Sequence, residues 1–179
     1  MRLIPFDQIR DTVARLCIEA NCILGEDVVR ALAKGREIEE SPTGREILNQ
    51  LLENQQIARE EMMPICQDTG WAVVWLELGS QVKIDGGELY DAIQAGVAKG
   101  YTEGYLRKSI VADPLRRKNT GDNTPAIIYT EIVPGDRLKI TVQPKGGGSE
   151  DGADVRRKSS PSIVSRLRSS RPGWRGPVT

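Results

Sequence analysis

Four stretches of this sequence combine residue types that can do chemistry. Cys66-Gln67-Asp68-Thr69-Gly70 sets a thiol, an amide, a carboxylate and a hydroxyl in succession. Read as structure, it is an Asx-type turn with an incidental cysteine. Read as chemistry, it is a metal thiolate beside an acid/base carboxylate. Spacing alone leaves both open. Lys145-Gly146-Gly147-Gly148-Ser149 is either a plain linker or a run of amide N–H groups that cradles an anion, with Lys145 adding charge. It lacks the glycine-lysine-serine/threonine order of a P-loop. Tyr105-Leu106-Arg107-Lys108-Ser109 and the connection Asp113–Pro125 are rich in cations and turn formers. A connection of that length reads as an ordered site loop rather than plain solvated chain. Arginine's planar fork matches a carboxylate, so a small dicarboxylate is the first ligand class expected.

Composition removes other chemistries. The chain contains no histidine, which excludes Ser-His-Asp triads, Cys-His dyads and histidine general bases within it. Its 25 Lys+Arg equal its 25 Asp+Glu, so no global field recruits nucleic acid or an anionic membrane. The balance hides a split. Residues 151–179 hold seven Lys/Arg against two Asp, a net of +5, which leaves residues 1–150 with 18 basic and 23 acidic residues, a net of −5. This tail carries six serines, three prolines and Ile163, Val164 and Leu167 as nearly its only aliphatic cluster, and is expected to be disordered or non-native. No apolar run is long enough for a membrane span, and Met1–Asp11 has no apolar signal core. Three cysteines suit no disulfide framework, and no Asn-x-Ser/Thr acceptor is present. The expected setting is reducing and cytoplasmic.

Periodicity supplies the elements that must hold these loops. Phe6, Ile9, Val13, Leu16, Cys17 and Ala20 recur at helical spacing and predict a helix over Phe6–Cys22, with Cys17 and Cys22 as core residues. A second helix is predicted over about Glu26–Glu37 with Val28, Val29, Leu32 and Ala33 inward. A third is predicted over about Thr43–Met63, after a cap signal at Ser41-Pro42-Thr43. Trp71–Leu78 reads as a strand buried on both faces for part of its length, and Glu88–Tyr105 as a helix. Thr124–Val133 and Arg137–Gln143, joined by Pro134-Gly135-Asp136, read as a β-hairpin. The order predicts an α+β (mixed α/β) fold: helices over about residues 6–63, then strand, helix and hairpin.

Three motifs, in order, carry a family resemblance. ICQDTG, LRKSIVADPLRRKNTGDNTPAIIY and PKGGGSE resemble the amino-terminal part of the iron–sulfur hydro-lyases of the class I fumarate hydratase family, which includes the alpha subunit of L(+)-tartrate dehydratase. The resemblance covers about Met1–Glu150, treated as one domain region, with 151–179 outside it. It implies reversible hydration of fumarate to malate, with tartrate dehydration as the alternative. It also implies a 4Fe–4S cluster on three cysteines with one iron open as a Lewis acid, a beta-type subunit or domain as partner, and a homodimer or heterotetramer. By motif position, Cys66 resembles the first cluster ligand, Gln67 and Asp68 substrate contacts with Asp68 a proton-transfer group, and Arg107 the carboxylate arginine. Gly147 falls in the glycine run of the same pocket, and Asp113–Thr124 in its supporting shell. No cysteine follows Cys66, where the family pattern has two more. The expectation is therefore a truncated or out-of-frame chain after Glu150, or a natural short paralogue. If the fold is only a remnant, it is non-catalytic.

Overall fold

The computed structural model describes residues 1–146 and, as backbone, 163–167. Along these residues run β1 (Arg2–Pro5), α1 (Phe6–Cys22), α2 (Glu26–Ile38), α3 (Pro42–Glu61), β2 (Trp71–Gly79), β3 (Val82–Asp85), α4 (Leu89–Glu103), β4 (Ile127–Val133), β5 (Leu138–Lys145) and β6 (Ile163–Leu167). The class is α+β, as expected. The short β1 and β3, which periodicity did not reveal, pair in parallel as a small sheet of their own.

The predicted apolar face of α1 is the buried one: Ile9, Val13, Leu16 and Cys17 are all 1% exposed or less. Each large aliphatic side chain buried this way contributes about 1.5–3 kcal/mol. This face packs on α4 at very short range. A Cβ at Gly96 would lie 2.6 Å from Arg10 O, and one at Gly100 would lie 2.7 Å from Ala14 O. At the rim, Lys99 Nζ bonds Asp11 at 2.9 Å, and the adjacent Arg10 pairs with the same carboxylate. These partners, Arg10 first, hold the Asp11 carboxyl down to about 2. Being exposed and screened by solvent, such pairs add little. Apolar packing decides the contact.

α1 and α4 cover one face of the sheet ordered β4-β2-β5-β6. Ala72, Val74 and Leu76 of β2 and Leu138, Ile140 and Val142 of β5 point into this core, the alternation a half-covered sheet requires. Val73 is also buried, so β2 is covered on both faces over part of its length, as predicted. On the outer face Trp75 stacks on Tyr129, with ring centroids 6.0 Å apart.

The expected hairpin differs from the structure in its pairing. Pro134–Asp136 does join the two strands tightly, yet β2 lies between them, parallel to β4 and antiparallel to β5. β2 carries the longest buried run and takes the central place, where both its edges find partners. The connection crosses the end of β2, with Gly79 N donating to Arg137 O at 2.8 Å and Ser80 N to Val133 O at 2.8 Å. A Cβ at Gly79 would sit 2.6 Å from Gly135 O, so the crossing needs glycine there.

Two further expectations shift. α2 has no fully buried residue and α3 only Ala58. Val28, Val29, Leu32 and Ala33 are not fully buried and Ile47 and Leu51 are exposed, because these helices pack on each other rather than on the core. Ser41 caps α3 as predicted, accepting from Gly44 N at 3.3 Å. Within the basic tail, the backbone of Ile163–Leu167 forms β6 and pairs antiparallel with β5. The remainder of 147–179 lies outside the described residues. Among the described residues, no helix is long and apolar enough to cross a membrane.

Candidate active site

α3 ends at Met62, whose left-handed backbone (φ 52°) turns the chain out of the helix. The next residues are tied to both neighbouring helices, since Ile65 N donates to Asn21 O at 2.9 Å and Asn54 Nδ2 to Ile65 O at 3.0 Å. Cys66 and Gln67 follow, both exposed, and then Asp68, half-buried. Asp68 Oδ1 accepts from Gly70 N at 3.1 Å. The Asx-type turn is therefore real, and it coexists with an exposed thiol.

Gly70 sits at φ +67°, and a Cβ there would lie 2.5 Å from the carbonyl carbon of Lys145. The loop therefore lies directly on the start of the glycine run. A Cβ on Gly146 would be 3.1 Å from Asp68 Oδ2, which puts the carboxylate against that backbone. Gly147 itself lies outside the described residues. The LRKS motif reaches the same place through Thr69, whose hydroxyl accepts from Arg107 N at 2.9 Å. The Arg107 side chain is exposed. The structure thus brings Cys66, Gln67, Asp68, Arg107 and the first residue of the glycine run into one locality.

Behind this surface lies a polar layer that the sequence did not signal as a unit. Tyr101 of α4 is 1% exposed and donates its hydroxyl to Thr69 O at 2.9 Å and Gly70 O at 3.1 Å. Burial pushes that hydroxyl's pKa up, so it stays a donor. The available signal was a tyrosine where a phenylalanine would pack as well, because a buried phenol needs a partner. Asn123, fully buried, donates to Gly70 O at 3.1 Å and accepts from Ser109 N at 2.7 Å. The connection 113–125 is held by its own hydrogen bonds, including Asp113 Oδ1 from Arg116 N at 2.7 Å. Its tip, Pro114–Lys118, is exposed, and its base, at Asn123, supports the site.

The three thiols are not equivalent. Burial pushes the Cys17 thiol up to about 12 and raises Cys22 as well; Cys66 alone is exposed. Iodoacetamide on the native chain is expected to label one thiol, absent in Cys66→Ser, and all three in denaturant; native labelling of three would refute the burial of α1. Between pH 9 and 12 the unfolded Cys17 loses a proton that the folded one keeps, so stability falls as pH rises through this window. Denaturation midpoints measured across it should decline less steeply in Cys17→Ala.

A 4Fe–4S cluster needs several converging thiolates. Among the described residues, no three His, Cys, Asp or Glu side chains are grouped to hold a metal, and the chain has no cysteine after Cys66. The thiols of this chain taken alone do not fit the cluster.

The fumarate hydratase (Fumerase) family profile matches residues 10–166, running past Glu150, and the chain belongs to that family. It is 36% identical over 150 residues to the putative L(+)-tartrate dehydratase subunit alpha of Methanocaldococcus jannaschii, an alignment covering 80% of this chain and 52% of that one. It is 39% identical over 116 residues to the aerobic class I fumarate hydratase of Escherichia coli, covering 64% of this chain and 21% of that one. The L(+)-tartrate dehydratase subunit alpha of E. coli is 28% identical over 145 residues, 79% of this chain and 48% of that one. The chain spans about half the length of the tartrate dehydratase relatives and about a fifth of the class I enzyme.

Proposed function

We propose that this chain is an alpha-type hydro-lyase chain acting on a small dicarboxylate in the cytoplasm, adding water to fumarate or removing it from malate, with L(+)-tartrate as the alternative substrate. The convergence of the Cys66–Gly70 loop, the Arg107 segment and Gly146 supports this reading. Arg107 pairs with a substrate carboxylate, which its fork geometry suits. Gln67 orients the substrate, Gly147 contributes to the pocket wall, and Asp68 moves the carbon-bound proton. Cys66 is the thiolate that this chain offers toward a 4Fe–4S centre. The remaining thiolates must come from outside these 179 residues, and a beta-type subunit or domain completes the assembly, as a homodimer or heterotetramer. A second reading, a carboxylate-binding remnant of the fold without turnover, is favoured by the single exposed cysteine.

The test is a pair of substitutions in an assembly where the missing thiolates are supplied, with fumarate consumption followed by its ultraviolet absorbance. Arg107→Ala is expected to raise KM about tenfold, or about 1.4 kcal/mol. Arg107 faces solvent, which argues against the 2–5 kcal/mol, roughly, of a fully desolvated pair. Asp68→Asn is expected to depress kcat with KM little changed. Unchanged kinetics in both would sink the site assignment, and no turnover in any assembly would favour the remnant.

A further inference from the structure

We propose that Thr69 is the positioning residue that sets Arg107 against the Cys66–Asp68 loop, a role that rests on the carboxylate-binding reading above. Thr69 is 2% exposed, and its hydroxyl grips both polar atoms of one residue's backbone. It accepts from Arg107 N at 2.9 Å and donates to Arg107 O at 3.3 Å. A hydroxyl is the small side-chain group that can do both at once. Among the described residues, no backbone–backbone hydrogen bond joins the 66–70 loop to the 106–109 segment. Side chains alone hold the two together, through Thr69 at Arg107 and through Asn123 between Gly70 O and Ser109 N. The loop side of the clamp is itself fixed, because Tyr101 holds the carbonyls of both Thr69 and Gly70. With Asn123 holding the neighbouring Ser109, the Thr69 hydroxyl therefore sets, at Arg107 itself, the separation between the residue proposed to bind a carboxylate and the residues proposed to act beside it.

Two substitutions in the full chain test this. Thr69→Val keeps the shape and removes the hydroxyl; Thr69→Ser keeps the hydroxyl. Amide hydrogen exchange is expected to show Arg107 N–H losing about tenfold of its protection in Thr69→Val. The amides of β2 should be unchanged, and Thr69→Ser should restore the loss. L-malate titrated into the three proteins is expected to bind severalfold more weakly to Thr69→Val alone. Unchanged Arg107 protection in Thr69→Val overturns the proposal. So does an equal loss across β2 without rescue by serine, or equal malate binding by all three proteins. Failure of the unaltered chain to bind L-malate overturns the carboxylate-binding reading instead, and the exchange result still decides whether Thr69 positions Arg107.

Discussion

The 179-residue chain, reconstituted anaerobically with iron and sulfide and then desalted, is expected to retain no 4Fe–4S cluster and to hydrate no fumarate. Ligand count is the reason. Iron–sulfur clusters are held by cysteine thiolates, and at the convergence of the three motifs this chain has one, Cys66. Cys17 and Cys22 are buried in α1 with their pKa values raised. Recruiting them would mean opening the packing of α1 against α4 and β5, which is the core itself. Iron and sulfide analysis with visible absorbance measures the outcome, run beside Cys66→Ser. About four irons per chain, lost in Cys66→Ser and accompanied by malate formation, would show that this chain builds the centre from ligands of its own.

Gly70→Ala is expected to be the most damaging single substitution at the site's base, at about 3 kcal/mol. Two costs combine there. The backbone at φ +67° is left-handed, and the new Cβ would stand 2.5 Å from the Lys145 carbonyl carbon and 2.7 Å from Gly146 N. Those are backbone atoms of β5 and its continuation, so no side chain can swing aside. For a chain of this size that corresponds to a fall in Tm of roughly 6–12 °C. Gly121→Ala is the control, since Gly121 is also at positive φ (+87°) but has nothing within 4 Å of its added Cβ. It should show the backbone cost alone, about 1–2 kcal/mol. Equal melting of the two variants by circular dichroism would mean that the loop is not seated on β5 as described. If it is so seated, Gly70→Ala should also raise the alkylation rate of Cys66, because the loop must lift to make room.

Helical structure and the family motifs were legible in the sequence because both are local. The three- and four-residue spacing in Phe6–Cys22 named the buried side of α1, including Cys17, and Ser41 announced the start of α3. The residues of ICQDTG, LRKS and PKGGG stand out by type and order alone, and those described do converge. Strand order was not legible. Nothing within Ile127–Lys145 says that β2 inserts between β4 and β5, because pairing is chosen by which strand can be buried on both sides, a property of the whole sheet. The exposure of α2 and α3 escaped periodicity for a similar reason. An apolar stripe shows that a helix has a face to cover, not whether the core or a neighbouring helix covers it. The polar layer under the site lay furthest out of reach. Thr69 meets Arg107 across 38 positions, and Asn123 meets Gly70 across 53. By itself the sequence singled out the candidate residues for the chemistry and the local elements that bear them. Only the tertiary structure decided that one hydroxyl and one amide hold those residues together, because a side chain's hydrogen-bond partner is set by where the chain returns in space.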